Sequence, residues 1–548
     1  MSGDVAPVVS EEPGTTGSTD PELDRLAASV LLPGFVGRSV PGWLARALDG
    51  GLAGVVLFAQ NLDPDDPAQA ERLGAELRAH ADAPVVAVDE EGGVVTRLES
   101  AHGSTLPSPA QLGLVDDVAL TEAVGRALGE RVRAAGGTLV LAPDADVASD
   151  PRNPVIGPRS FGADPSLVAR HVAASVRGIQ SAGIGACAKH WPGHGATAVD
   201  SHLELPSVPR AVLDAGHDVP FRAAVDAGVA AVMTAHVVVP EAGEAPATVN
   251  PTLIGELRAL GFDGPVVTDA IDMAAIRATY GTPAGAVAAL RAGVDLVCLG
   301  NPGFAPALST TEGPDGTPGS VGTYDDEALY LAVRSAVVDA VREGNLDRDR
   351  LEQASLRVAT LRVSGNGGPT AAGAAKPAAA GPVPGRSTDD DRPEPVLDLD
   401  QAAVRVAAAA LARTLPARPA PFGSVRDARA AATAAVASRA HPVVPALEQH
   451  VTPGATGVAV VVDRLADRKQ RAAVQWLREQ GRLALVVDVG APDAHVPGSV
   501  ARAGVPRVPL GADSRFSVRV LDRVLAGLDA DGATPAAAGH ASLPGARR

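Results

Sequence analysis

The sequence predicts an α/β protein: a parallel (β/α)8 barrel of the TIM type, followed by a smaller domain of α/β layers. Three observations predict it. Short apolar runs alternate with Ala-rich stretches of helical length as far as residue 363. Nearly every run ends in polar or ionisable residues. Near residue 365 the composition changes abruptly, and a shorter strand and helix alternation begins beyond it.

Residues 1–20 read as a flexible tail, and Pro21 then opens a helix in which Leu23, Leu26 and Val30 recur at helical spacing. Seven apolar runs follow: Gly54-Val-Val-Leu-Phe, Pro84-Val-Val-Ala-Val, Thr138-Leu-Val-Leu-Ala, Gly185-Ala-Cys-Ala-Lys, Ala230-Ala-Val-Met-Thr, Pro265-Val-Val-Thr and Val294-Asp-Leu-Val-Cys-Leu. Continuous apolar runs fit strands covered on both faces, as in a parallel sheet. Seven such strands imply a barrel of eight with one strand unassigned. Polar residues just past barrel strands are where this architecture carries its chemistry. A Gly/Pro/Thr-rich loop spans Asn301–Thr323, and helices over Asp325–Glu343 and Asp347–Val363 close a domain of residues 21–364. Residues 365–395, rich in Gly, Ala and Pro, read as a linker. The second domain, 396–532, contains Gly457-Val-Ala-Val-Val-Val, a helix around Asp467–Gln480, Leu483-Ala-Leu-Val-Val-Asp-Val, Val505-Pro-Arg-Val-Pro-Leu and a last helix over Ser514–Leu528; 533–548 is a second tail.

With 46% hydrophobic and 20% charged residues, the 548-residue chain is a packed globular protein, too long for one core. Its net charge of −17, with no block of Lys or Arg, speaks against nucleic-acid binding. Aromatic residues make up only 3%, which favours a small, deeply held polar substrate over a long polysaccharide laid on aromatic platforms. Cys187 and Cys298 sit inside apolar runs, as buried free thiols do, and there is no disulfide framework. The first residues lack a basic and then apolar leader, and no 18 apolar residues run together. A cytoplasmic location without membrane association is expected.

A carboxylate at a strand end can act as a nucleophile, and a nearby His held by an Asp as a proton donor later reused as a base. Asp269, after Pro265-Val-Val-Thr, is a candidate nucleophile and Asp272 its nearest rival, although an Asp in such a place also caps helices. Lys189-His-Trp-Pro-Gly-His-Gly through Asp200-Ser-His202 crowds three His, a Lys and an Asp into a segment that Pro192, Gly193 and Gly195 mark as a loop. Asp200 can orient His202 and raise its pKa toward neutrality. Surface hydrogen bonding is the plainer use of such histidines.

These segments together resemble glycoside hydrolase family 3, and within it the bacterial β-N-acetylhexosaminidase branch, over roughly Leu23 to Val363. The resemblance rests on Gly54-Val-Val-Leu-Phe-Ala-Gln-Asn, Val88-Asp-Glu-Glu-Gly-Gly-Val-Val-Thr-Arg-Leu, Ala142-Pro-Asp-Ala-Asp-Val, Asn153-Pro-Val-Ile-Gly-Pro-Arg-Ser-Phe-Gly, Lys189-His-Trp-Pro-Gly-His-Gly, Asp200-Ser-His, Met233-Thr-Ala-His and the Asp269 segment. It implies Asp269 as nucleophile, His202 as acid/base and Asp200 as its partner. It also implies that Asp89, Arg97, Arg159, Lys189 and His190 hold the sugar, with His236 near the pocket floor. The substrate it implies is a β-linked N-acetylglucosaminide of a muropeptide or chitin fragment, cleaved without cofactor or metal. Val94 and Gln60 depart from the pattern where basic residues are common. Three rivals remain: a phosphorylase of the same family, with phosphate in place of water; a metal-dependent hydrolase using His190, His194 and His202 with Asp200 and Asp269; and a non-catalytic sugar-binding protein.

Overall fold

The computed structural model describes residues 20–198, 205–302, 325–364, 397–413, 422–427, 429, 442–453, 455–463, 468–480, 482–490 and 507–529. The expected tails (Asp20 aside), the 365–395 linker, most of the Asn301–Thr323 loop and the pair Asp200 and His202 lie outside the described residues.

Eight parallel strands form the first unit: β1 (Leu31–Pro33), β2 (Gly54–Leu57), β3 (Val85–Val88), β4 (Leu139–Val140), β5 (Gly185–Trp191), β6 (Ala231–Thr234), β7 (Val266–Thr268) and β8 (Val297–Gly300). Strands β2 to β7 pair in sequence order, and β1 pairs with β8. A parallel bridge between Val267 and Leu296 joins the two sheets. At the seam between β1 and β2, the Ala53 N–H donates to the Ala28 carbonyl at 3.1 Å. The result is a TIM-like (β/α)8 barrel. The strand that sequence left unassigned is β1. Its three residues follow the helix Pro21–Ala28 so closely that Val30 reads as helical, whereas the Val30 carbonyl accepts from Val297 N–H at 2.9 Å.

Alternate strand residues fill two cores, which is why the runs are apolar throughout. Val56, Ala87, Leu139, Cys187, Met233, Val267 and Cys298 belong to one buried cluster, whereas Val55, Leu57, Val86 and Val88 join the larger cluster formed with the helices. Both thiols are free and buried. Below β7 and β8, at the amino ends of the strands, the fully buried Asp295 accepts from Val266 N–H at 2.9 Å. The same carboxylate meets Arg258, Arg350 (2.7 Å) and Arg357 (3.2 Å). This ties the helix Arg348–Ser364 under the barrel.

The second unit is a four-stranded parallel sheet in the order β12, β11, β10, β9, made of β9 (Phe422–Asp427), β10 (Gly457–Val462), β11 (Leu483–Asp488) and β12 (Arg507–Pro509). Helices Leu399–Arg413, Val443–Glu448, Arg468–Glu479 and Arg515–Asp529 accompany it. Strand β9 and the helix Leu399–Arg413 were not foreseen, nor was the short helix Val443–Glu448. The first is an edge strand carrying Ser424, Arg426 and Asp427, and the second is an Ala-rich stretch that merges with the linker composition. No helix among the described residues is long and apolar enough to cross a membrane.

Candidate active site

The chemistry collects at the carboxyl ends of the strands. After β3 the chain turns sharply through Asp89-Glu-Glu-Gly-Gly, with Glu91 N–H donating to the Val95 carbonyl at 3.0 Å and Val95 N–H to that of Gly92 at 3.2 Å. Gly93 has φ +59°, and a Cβ there would lie 2.3 Å from that of Ser108, so only glycine fits. The turn folds Arg97 back onto Asp89, Nη2 to Oδ2 at 3.2 Å. From β5, Lys189 Nζ reaches Asp89 Oδ1 at 2.8 Å and Glu91 Oε1 at 2.6 Å. Arg159, on the short helical turn Gly157–Arg159, grips Glu91 with two hydrogen bonds of 2.9 Å. Two carboxylates and three cations thus interleave in one wall.

Burial opposes the charge on Asp89, Glu91, Lys189 and Arg159, and the neighbours decide the outcome. For Asp89, Lys189 and Arg97 outweigh burial and hold the carboxyl well below its ordinary range. For Glu91, Arg159 and Lys189 do the same, to about 2. Burial lowers Lys189 and Arg159, but Asp89 and Glu91 keep the first charged, and Glu91 the second. Glu90, between the two ionised acids, goes the other way: burial raises it to about 7 despite N–H donors from Arg97 and Leu98 at 2.9 and 3.2 Å.

Behind the wall, β4 leads into Asp144 and Asp146. Asp146 Oδ2 holds His190 Nδ1 at 2.7 Å, and its Oδ1 accepts from His194 N–H at 2.6 Å. Burial pushes His190 down to about 4, with Arg159 adding to the effect, so the ring is neutral. Its proton sits on Nδ1 facing Asp146, leaving Nε2 as an acceptor 3.4 Å from Arg159 Nη2. Burial, reinforced by the charge of Asp146, raises Asp144 to about 8. Oxygen and nitrogen atoms of Asp144, Asp146 and His190 lie within 4.8 Å of one another, a spacing that can hold a metal ion. The Arg159 guanidinium 3.6 Å from Asp144 Oδ2 already supplies positive charge there, and a protonated Asp144 is a poor ligand. The cluster fits a shared proton better than a cation.

A pH dependence follows. In the folded chain Asp144 holds a proton that the unfolded chain, at an ordinary value of 3.8, releases. Its contribution is therefore full below about pH 4 and lost as pH rises to about 8. Asp144→Asn keeps a neutral group at every pH, so the fall in denaturation midpoint between pH 5 and pH 8 becomes shallower than in the wild type.

Asp269 follows β7, with its N–H on the Thr234 carbonyl at 3.3 Å and its Oδ1 accepting from Ala270 N–H at 2.8 Å. Asp272, its rival, accepts from Asn301 N–H beyond β8 at 3.1 Å. An open cleft of about 910 Å³ brings together six of the nine expected residues: Asp89, Arg97, Arg159, Lys189, His190 and Asp269. His236 is not among its lining side chains. It is fully buried, with Nδ1 on Thr248 Oγ1 at 2.7 Å and Nε2 on the Ala270 carbonyl at 2.9 Å, behind the Asp269 segment. The Lys189–His202 segment, expected as a loop, starts inside β5, and its turn is pinned where Asn153 Nδ2 donates to the His194 carbonyl at 2.7 Å. Sequence reasoning assigned no role to Glu91, Asp144 or Asp146. The signal for each was a carboxylate just past an apolar run.

The cleft thus lies at the carboxyl end of a parallel barrel, where this architecture carries its chemistry, and is walled by alternating acids and bases. Residues 43–361 match the Glycosyl hydrolase family 3 N terminal domain, and the chain belongs to that family and is a glycosidase. It is 39% identical over 262 residues to a protein of Stenotrophomonas maltophilia (strain K279a) named Beta-hexosaminidase, covering 46% of this chain and 77% of that protein. A Beta-hexosaminidase of Xanthomonas campestris pv. campestris (strain B100) is 40% identical over 261 residues, covering 46% and 78%. Among solved structures, a glycoside hydrolase family 3 β-N-acetylglucosaminidase from Paenibacillus sp. str. FPU-7 superposes with a TM-score of 0.72 at 27% identity, covering 92% of this chain and 97% of that one.

Proposed function

We propose that the protein is a retaining β-N-acetylhexosaminidase that releases terminal β-linked N-acetylglucosamine, from muropeptide or chitin fragments, in the cytoplasm. The observation that carries this reading is Asp269 in the same cleft as the Asp89, Lys189 and Arg159 wall. Asp89 accepts from sugar hydroxyls, Arg97, Arg159 and Lys189 donate to them, and His190 Nε2 accepts one more. Asp269 attacks the anomeric carbon as His202, oriented by Asp200, protonates the departing oxygen. A covalent glycosyl ester forms on Asp269. His202 then takes a proton from water, which attacks the same carbon and restores the β configuration. The named activities of the relatives support the choice of sugar.

The test is turnover of an aryl β-N-acetylglucosaminide followed by proton NMR, with and without inorganic phosphate. Free N-acetylglucosamine formed first as the β anomer, at a rate independent of phosphate, is the expected result. A sugar 1-phosphate that forms only with phosphate would assign the enzyme to the phosphorylases, and the α anomer appearing first would overturn retention.

A further inference from the structure

We propose that the second unit is a positioning element of the active site: it clamps the segment after Arg97 and so fixes the Asp89 and Arg97 part of the sugar-binding wall. The proposal rests on the sugar-binding reading of those two residues.

The units share an apolar core, in which Leu112 and Leu114 lie in one buried cluster with Ala402, Val406, Leu510 and Phe516, and Arg405 pairs with Asp117 beside it; within this contact runs a buried set of directed hydrogen bonds. Phe516 is the second residue of the helix Arg515–Asp529, so its N–H has no acceptor within that helix; it donates to the Ser104 carbonyl of the barrel at 3.1 Å. Gln111 Nε2 donates to the Leu510 carbonyl at 2.7 Å and to Ser517 Oγ at 3.0 Å, and Ser108 Oγ to the Gly511 carbonyl at 2.9 Å. Ser104, Ser108, Gln111, Leu510, Phe516 and Ser517 are all wholly buried. Hydrogen bonds in such a setting fix direction as well as distance, because a displaced partner is left unsatisfied away from water.

On the barrel side these residues lead directly to the site. Gly93 N–H donates to the Leu106 carbonyl at 3.2 Å, and Ser108 fills the space against Gly93. Thr105 donates from its N–H and its hydroxyl to Glu99 at 2.8 and 2.9 Å, and Arg131 holds Glu99 at 2.9 Å. Glu99 lies two residues from Arg97, which reaches Asp89. The line from residues 510–517 through 104–111 to 92–99 is therefore continuous, although no residue of the second unit is among the described lining of the cleft.

The experiment uses the full chain. Gly511 has φ +67° and a Cβ there would stand 3.3 Å from Gln111 Cγ, so Gly511→Leu wedges the contact open; Ser517→Ala removes the bond from Gln111 Nε2 together with the hydroxyl's contact to Ser514 Oγ at 3.1 Å inside its own unit. Expected for Gly511→Leu is a rise of about five-fold or more in KM for an aryl β-N-acetylglucosaminide, with kcat changed by less than about two-fold, as for loss of binding shared by ground and transition states. Ser517→Ala shows the same split at about two-fold. In the absence of substrate, amides of residues 92–106 exchange faster in both variants while those of β5 to β7 do not. Gly511→Leu added to Arg97→Lys raises KM by less than the product of the single effects. Unchanged KM and unchanged exchange at 92–106 in a folded variant would overturn the proposal, and so would exchange that rises equally across the barrel. If Gly511→Leu fails to fold, Ser517→Ala decides. If the wild-type chain does not turn over the N-acetylglucosaminide, the functional reading fails, and the exchange measurement alone decides on the clamp.

Discussion

Asp269→Ala is expected to lower kcat on an aryl β-N-acetylglucosaminide by about four orders of magnitude, the scale on which removal of a catalytic nucleophile acts. Sodium azide should restore part of the turnover, giving the α-glycosyl azide, because a small anion can occupy the space vacated by the carboxylate and attack the anomeric carbon directly. Chromatography and NMR of the azide product check this. Asp272→Ala is the comparison: that carboxylate is engaged by the Asn301 N–H and should leave turnover within about ten-fold of the wild type. Wild-type turnover in Asp269→Ala, or azide rescue of Asp272→Ala instead, would sink the assignment.

The second large effect is on stability. Glu91 is buried and holds both Lys189 and Arg159. Removing it leaves two cations facing each other with one acid fewer, and breaking such a buried arrangement typically costs about 3–5 kcal/mol. Glu91→Ala should therefore unfold at clearly lower denaturant, by a change of that order in the barrel transition. Because these groups are buried, the loss should depend only weakly on salt. Glu91→Gln keeps the shape and loses the charge, so its defect should be smaller in packing yet similar in its salt dependence. A stability for Glu91→Ala within experimental error of the wild type would mean that Asp89 alone neutralises the pair.

Most of this arrangement was legible in the chain because burial on both faces writes parallel strands as unbroken apolar runs, and because Lys189 and His190 interrupt one such run with ionisable groups. What escaped did so for physical reasons. Strand β1 is too short to show a run, and β9 carries the polar residues of a sheet edge. Glu91 stands beside Glu90 and nothing in the sequence tells the two apart, yet the turn buries both and sends their protonation in opposite directions. Asp144 and Asp146 look alike in sequence; only the structure shows one accepting from the His194 N–H and holding His190 while the other keeps an oxygen without a hydrogen-bond partner. For His236 the resemblance implies a place near the pocket floor and a structural role is the alternative; its ring bonds Thr248 and the Ala270 carbonyl behind Asp269. No local pattern marks residues 510–517 as neighbours of residue 104, since their meeting depends on how two separately folded sheets dock.

The carboxylate of Asp295, surrounded by three guanidinium groups under the barrel, bears on what the opposite rim can become. Strands β7 and β8 are anchored at the pole away from the cleft, so the rim that carries Asp269 and Asp272 takes its direction from a group of charges that lies outside the described lining of the cleft.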